Sequence, residues 1–105
     1  IPPRLAPITA GVYPLIEDEN MIRIAKKIYQ ELVKVGFYVL YDESGSIGRR
    51  YARADEIGVP LGITVDSRTL EDGTVTIRFR DTREQIRIKI EDIARWVREY
   101  LERGA

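Results

Sequence analysis

The chain has 105 residues, 44% of them hydrophobic and 32% charged, which is the composition of one soluble globular domain. Its 17 cations balance 17 anions, so binding of anions through net charge alone is excluded. The absence of cysteine and histidine excludes disulfides and thiolate metal sites, removes the commonest general base, and fits a reducing, cytoplasmic location.

The first elements are predicted from a proline-rich opening and three apolar patterns. Residues 1–7, IPPRLAP, indicate an interdomain linker, so the folded domain is expected over residues 8–105. Thr9–Leu15 is predicted to form a short buried strand. Acidic residues at Glu17–Asn20 precede apolar residues at three- and four-residue steps, a pattern typical of a helix. Phe37–Tyr41, rich in aromatic and β-branched side chains, predicts a second strand.

A second helix is predicted from Gly45 or Ser46 to about Ile57, where Gly58 and Pro60 end it. The apolar run that follows predicts a third strand, ending at Asp66. The Asp-Gly pair in the sequence LEDG, which ends at Gly73, is the turn signal of a hairpin.

The next two strands are predicted by strict alternation of apolar and polar side chains, at Thr74–Arg80 and Glu84–Ile90. One face of this pair is therefore expected to be solvated and basic, carrying Arg78, Arg80, Arg87 and Lys89. A last helix is expected to bury one apolar stripe, with two aromatic residues beside it: Ile93, Ala94, Val97 and Leu101 inward, Trp96 and Tyr100 flanking.

The predicted element order is β-α-β-α-β-β-β-α, which indicates an α/β fold with a mostly parallel, partly mixed sheet. Right-handed crossovers would place the second helix on the face opposite the first and last helices. The second helix would then border the basic part of the sheet.

The stretch SGSIGRRYAR, from Ser44 to Arg53, lies at this strand-to-helix junction. A Walker loop needs GxxxxGK[ST] and a dinucleotide loop needs GxGxxG, and neither spacing is present. The stretch therefore does not predict a nucleotide-binding loop. Phosphate at the helix N-terminus remains physically reasonable.

Catalysis has little support in the sequence. The carboxylate pairs Asp42–Glu43 and Asp55–Glu56 are adjacent along the chain, and adjacent side chains do not converge on one substrate atom. No serine has a histidine to activate it. No catalytic residue, no metal site and no membrane span of about 20 apolar residues is predicted.

RNA binding is better supported by the arginines. Eight of the nine cations between Gly45 and Ile90 are arginine, which forms bidentate contacts to phosphates and base edges. Tyr51 and Phe79 offer rings for stacking, although core packing is the more ordinary role for both. A surface network of ion pairs, such as Arg53 with Asp55 or Glu56 and Arg80 with Asp81, is the open alternative.

Two stretches carry a family resemblance: DESGSIGRRYARADEIGVPLGITVD, Asp42–Asp66, and DGTVTIRFRDTREQIR, Asp72–Arg87. Both closely resemble the C-terminal anticodon-binding domain of archaeal and eukaryotic glycyl-tRNA synthetases, in the class II synthetase family. The match runs over essentially the whole chain and includes LAP at Leu5–Pro7. It implies a three-layer α/β/α fold with three helices and a five-stranded mixed sheet, in which the fourth strand is antiparallel.

The resemblance also implies where RNA binds. Anticodon nucleotides of tRNA(Gly) would lie against the second helix, the end of the third strand and the fourth strand. By motif position the primary candidates are Arg49, Arg50, Arg53, Asp66, Arg78 and Arg80. Secondary candidates are Ser46, Tyr51, Glu56, Arg68 and Arg87. Carboxylates accept from cytosine N4 and arginines donate to bases or phosphate, which suits a cytosine-rich anticodon.

The chain departs from the family at Phe79, where an acidic residue is common. Alternation places Phe79 on the opposite face from Arg78 and Arg80, so the arginine face is expected to persist. The class II catalytic motifs are absent, so ATP, Mg²⁺ and glycine attachment are expected only in a separate catalytic domain of a homodimeric parent. An accessory or dimerisation module of the same fold, or an engineered version of the domain, remains the alternative.

Overall fold

The structure is a computed structural model that describes residues 7–103. The predicted linker lies outside the described residues except for Pro7. Five strands and four α-helices follow one another in chain order: β1 (Ala10–Pro14), α1 (Glu19–Lys34), β2 (Val39–Tyr41), α2 (Ile47–Glu56), β3 (Leu61–Val65), α3 (Ser67–Asp72), β4 (Thr74–Phe79), β5 (Gln85–Lys89) and, after a 3₁₀ turn at Ile90–Asp92, α4 (Ile93–Glu102).

The strands form one mixed sheet in the order β2-β1-β3-β4-β5. β1 pairs in parallel with β2 and β3, whereas β4 is antiparallel to both β3 and β5. The expected five-stranded mixed sheet with an antiparallel fourth strand is therefore confirmed. Its register places Arg78 opposite Gln85, Thr76 opposite Arg87, and Thr74 opposite Lys89.

Helices cover both faces of the sheet, as the three-layer fold requires. On one face, buried residues of α1 and α4, such as Ile28 and Val97, pack with Val12, Ile63 and Ile77 of the strands. On the other face α2 packs on the sheet in a second cluster, formed by Tyr13, Ala54 and Val59 with Leu40, Ile47 and Tyr51 around them. The prediction that the second helix lies opposite the first and last is confirmed.

The acidic segment before α1 provides the N-terminal cap of this helix. The Asp18 carboxylate accepts hydrogen bonds from the backbone N–H groups of Asn20 and Met21, both at 3.0 Å. These groups have no carbonyl partner in the first turn of a helix, so such a cap is worth about 1 kcal/mol. The acidic start predicted for this helix is therefore present.

The predicted hairpin turn at Asp72–Gly73 is wrong, because a fourth helix, α3, occupies that position. Asp66 and Thr69 cap it reciprocally: the Asp66 carboxylate accepts from the Thr69 N–H, and the Thr69 hydroxyl accepts from the Asp66 N–H. Gly73 ends α3 in the left-handed region, at φ 71°. The Asp-Gly pair thus marks a helix C-terminus, where glycine is favoured for the same conformational reason.

The last helix differs from expectation at one position. Ile93 and Val97 are buried as predicted, but Leu101 is 43% exposed. Its neighbour Tyr100 instead packs inward, stacked on Trp96 with ring centroids 5.4 Å apart. Both rings contact Phe79, at centroid distances of 5.8 and 5.9 Å. The aromatic cluster takes the place on the sheet that was expected for Leu101.

Candidate nucleic-acid interface

α2 covers the middle of the sheet and leaves the polar face of its last two strands partly uncovered. The strand register places six polar side chains on this surface, which we name the open sheet face: Thr74, Thr76, Arg78, Gln85, Arg87 and Lys89. All six are partly or fully exposed. Arg78, Arg87 and Lys89 give this face the positive charge predicted from alternation. The predicted fourth cation, Arg80, follows the end of β4 and pairs with Asp81.

Arg78 is held between α2 and the open sheet face. Its guanidinium carbon lies 4.5 Å from the centroid of the Tyr51 ring, in cation–π contact. The same guanidinium donates to both carboxylate oxygens of Asp55, at 3.3 and 3.4 Å. Only 13% of the side chain is exposed, so Arg78 presents one edge to solvent from a fixed position.

Tyr51 is itself anchored beneath Arg78. Its hydroxyl hydrogen-bonds the Thr64 hydroxyl at 2.7 Å, and its ring meets Tyr13 edge-on at 5.8 Å. Burial raises the pKa of the Tyr13 phenol to about 12. Tyr51 is therefore a packing residue that supports an arginine, and its ring face is not open to a stacked base.

Arg87 and Asp66 form the second fixed group, at the carboxyl end of β3. The Arg87 guanidinium donates to both oxygens of the Asp66 carboxylate and, at 2.9 Å, to the Thr74 hydroxyl. Partial burial of Asp66 opposes its charged form, but the hydrogen bonds from Arg87 and Thr69 hold the pKa of the carboxyl below its usual value. These bonds leave the Asp66 carboxylate already paired within the domain, with a remaining acceptor site on Oδ2, which accepts one hydrogen bond from Arg87.

Arg50, a primary candidate from the sequence, lies in the interior and is 2% exposed. Its guanidinium donates to three backbone carbonyls: those of Pro14, of Leu15 at 3.1 Å and of Asp42 at 3.2 Å. RNA reaches this group only by displacing the chain's own carbonyls. The position is readable from the sequence, because Ile47, Arg50, Tyr51 and Ala54 follow the i, i+3, i+4, i+7 pattern of one inward helix stripe.

Arg49 and Arg53 lie on the flank of α2 that faces β2, away from the open sheet face. Arg53 donates to the Asp42 carboxylate at 2.6 Å and to the Ser44 carbonyl at 2.8 Å. Arg49 is exposed and makes no side-chain hydrogen bond or ion pair within residues 7–103. The second helix does border the basic part of the sheet, through Tyr51 and Asp55, but Arg49 and Arg53 of the same motif do not. Residues two apart on a helix do not share a face, so Arg53 and Asp55 point to different flanks.

The remaining candidates are a helix cap, an exposed carboxylate and two ion-paired arginines. Ser46 caps α2 by accepting from the Arg49 N–H at 3.3 Å, and Glu56 is exposed near the end of the same helix. Arg80 pairs with Asp81, as the ion-pair alternative predicted, and Arg68 pairs with Asp72, both at 2.9 Å.

Comparison with known proteins identifies the family. A family model described as "Anticodon binding domain" matches residues 6–100. The chain belongs to that family. It is 53% identical over 105 residues to the glycine–tRNA ligase of Aeropyrum pernix, covering 99% of this chain and 18% of the relative. It is 57% identical over 97 residues to the glycine–tRNA ligase of Pyrococcus furiosus, covering 92% and 17%.

A solved structure shows the same anticodon-binding-domain fold. The crystal structure of prolyl-tRNA synthetase from Cryptosporidium parvum, complexed with halofuginone and AMPPNP, matches with a TM-score of 0.84 and 27% identity. The match covers 98% of this chain and 22% of the synthetase. The chain thus spans less than a quarter of the length of the relatives it resembles.

Two further observations on this anticodon-binding domain concern metal ions and membranes. Among residues 7–103, no group of three or more aspartates or glutamates is placed to hold a metal ion. No helix in that part of the chain is long and apolar enough to cross a membrane. Acidic residues of the domain instead pair with arginines, as Asp55 does with Arg78.

Several residues that shape the interface had no distinctive sequence pattern. Asp55 is one of two adjacent carboxylates in the sequence, and the residue types of Thr64, Thr76 and Gln85 are ordinary for strands. Their roles depend on the register that places Gln85 beside Arg78 and on the side of α2 that faces β4. Once the register is known, period-2 alternation is enough to identify the strand residues.

Proposed function

We propose that this chain is the anticodon-binding module of a glycine–tRNA ligase and that its open sheet face binds the anticodon loop of tRNA(Gly). The observation that carries the proposal is the pair of preplaced arginines, Arg78 and Arg87, on an uncovered polar sheet of an anticodon-binding domain. The identity of 53–57% to glycine–tRNA ligases supports the choice of tRNA.

The donors and acceptors on the open sheet face suit single-stranded RNA. Single-stranded loops expose the Watson–Crick edges of their bases, which proteins read by hydrogen bonds. Arg78 offers guanidinium donors and its register partner Gln85 offers an amide oxygen. A cytosine needs this combination, a donor for O2 and N3 and an acceptor for its N4 amino group.

Phosphate contacts would come from cations that the domain does not neutralise. Lys89 is exposed on the open sheet face, and Arg49 is exposed at the start of α2. Neither side chain makes an ion pair to another of the residues 7–103. Because Lys89 is the one unpaired cation on the open sheet face among residues 7–103 and the net charge of the chain is zero, we expect micromolar or weaker binding with a shallow salt dependence.

In this proposal the domain contributes tRNA binding to a reaction carried out elsewhere in the full-length protein. Attachment of glycine, with its ATP and Mg²⁺, belongs to the part of the ligase that this chain does not span. A homodimeric parent in the cytoplasm would be consistent with that function. In the full-length protein, the catalytic domain would be a permanent partner of the anticodon-binding domain.

Titration of the chain with RNA tests the proposal. Calorimetry with the anticodon stem-loop of tRNA(Gly) should give measurable binding, and a stem-loop with the same stem and a permuted anticodon should bind several-fold more weakly. Equal and negligible heats for both stem-loops would contradict RNA binding and favour an accessory or dimerisation module. Sedimentation of the free chain would then show whether it self-associates.

A further inference from the structure

Arg50 is a buried cation, and its hydrogen-bond partners within the described residues are backbone carbonyls and include no carboxylate. It is 2% exposed, and none of the ion pairs among residues 7–103 includes it. A guanidinium stays charged at any pH at which the protein folds, and a buried charge is costly unless polar groups surround it. Here three backbone carbonyls accept hydrogen bonds from the two Nη nitrogens, whereas the buried Nε–H has no partner among residues 7–103.

These carbonyls tie α2 to the ends of two strands. Pro14 ends β1 and Leu15 follows it, whereas Asp42 follows β2. Nη1 of the guanidinium donates to the Pro14 and Asp42 carbonyls and so bonds both segments, and Nη2 donates to the Leu15 carbonyl. Arg50 thereby fixes the second turn of α2 above the carboxyl edge of the sheet.

The same helix carries the groups that hold Arg78. Tyr51, the next residue, bonds Thr64 of β3 and lies under the Arg78 guanidinium, and Asp55, one turn later, accepts its hydrogen bonds. The two bonds from Arg78 to Asp55, at 3.3 and 3.4 Å, are already longer than ordinary charged hydrogen bonds. A small displacement of α2 would therefore break them.

We propose that Arg50 is a positioning residue for RNA binding: its buried guanidinium fixes α2 so that Tyr51 and Asp55 hold Arg78 toward the anticodon. This inference rests on the proposed function. Arg50 does not touch RNA in this arrangement and acts only through Arg78. Lysine does not replace it, because an ammonium is a single point charge and lacks the second, coplanar nitrogen that bonds the Leu15 carbonyl while the first bonds Pro14 and Asp42.

A double-mutant cycle tests whether Arg50 acts through Arg78. Affinity for the tRNA(Gly) anticodon stem-loop is measured for the wild type, Arg50→Lys, Arg78→Ala and the double variant at one salt concentration. We expect each single variant to weaken binding by roughly fivefold or more, and the double variant to bind no more weakly than Arg78→Ala alone. Circular dichroism verifies that each variant is folded.

The matched control is Arg53→Lys, on the same helix but on the flank that faces β2. Its effect on affinity should add to that of Arg78→Ala, because Arg53 pairs with Asp42 and does not contact the group around Arg78. Additive effects for Arg50→Lys, or an unchanged affinity in that variant, would overturn the inference. A wild-type chain that does not bind the stem-loop would overturn the proposed function and this inference together.

The wild-type chain supplies a second test that does not depend on a variant that folds. In NMR spectra of the guanidinium groups, addition of the stem-loop should shift the Arg78 Nε–H signal and leave that of Arg50 in place. A shift of the Arg50 signal as large as that of Arg78 would mean direct contact with RNA and would overturn the positioning role.

Discussion

Arg78 of β4 lies over the ring of Tyr51 of α2, with its guanidinium carbon 4.5 Å from the ring centroid. Asp55, one turn further along the helix, accepts two hydrogen bonds from the same guanidinium. Side chains of α2 thus hold a cation of the adjacent sheet layer at the border of the open sheet face. Side chains fixed before binding lose little conformational entropy when a ligand arrives.

Arg78→Ala should weaken binding of the tRNA(Gly) anticodon stem-loop by about 1–3 kcal/mol, roughly 5- to 150-fold, if this guanidinium contacts a base. Fluorescence anisotropy with a labelled stem-loop measures the change. Arg95→Ala is the control, because Arg95 is an exposed arginine on α4 that, within residues 7–103, forms an ion pair with Asp92 alone. Equal affinities for the two variants would remove Arg78 from the RNA interface.

Replacement of Tyr51 separates its hydroxyl from its ring. Tyr51→Phe leaves the buried Thr64 hydroxyl without its 2.7 Å partner, so the free energy of unfolding should fall by about 1–2 kcal/mol. RNA affinity should change little, since the ring that supports Arg78 remains. Tyr51→Leu removes the ring as well and should weaken RNA binding. Urea denaturation and stem-loop titration of both variants measure these two effects, and equal RNA affinities would argue against ring support.

The sequence predicted the strands of this interface better than its helix. Successive side chains of β4 and β5 point to opposite faces of the sheet. Once one residue of a strand is assigned to a face, the faces of all its other residues follow. By contrast, Arg50 and Arg53 belong to one motif, yet one is buried among carbonyls and the other lies at the surface. That difference depends on which side of α2 meets the sheet, and the arginines alone do not reveal it.

The short helix α3 was missed for a related reason. An Asp-Gly pair suits both a hairpin turn and a helix C-terminus, because each needs glycine with positive φ. Asp66 and Thr69, three residues apart, decide between these outcomes by capping the helix. This helix also places Asp66 within reach of Arg87. Asp66 was expected to accept a hydrogen bond from cytosine, but its carboxylate already accepts hydrogen bonds from Arg87.

Salt dependence should distinguish phosphate contacts from base contacts. Lys89 is exposed on the open sheet face, so Lys89→Gln should reduce the slope of log affinity against log salt concentration by about one if Lys89 contacts a phosphate. Arg78→Ala should lower affinity with a smaller change in slope. Titrations at several salt concentrations give both slopes. An unchanged slope for Lys89→Gln would place the RNA backbone elsewhere on the domain.

The ion pair between Asp66 and Arg87 should make stability depend on pH in one direction. The pKa of the Asp66 carboxyl is held below its usual value in the folded chain, whereas an unfolded aspartate titrates near 3.9, about pH 4. The stabilisation is therefore present above about pH 4 and is lost as the pH falls through the folded pKa. Arg87 remains charged throughout this range.

Asp66→Asn isolates the charge, because asparagine keeps an oxygen that can cap α3. At pH 7 the variant should unfold with a free energy about 1.5–3 kcal/mol lower than that of the wild type, and this difference should shrink as the pH falls below about 4. Urea denaturation across the pH range measures it. Asp81→Asn is the control, since Asp81 is 75% exposed in its pair with Arg80 and an exposed pair contributes little. A difference between Asp66→Asn and the wild type that grows toward low pH would contradict the assignment, because it would mean that Asp66 is destabilised by its charge.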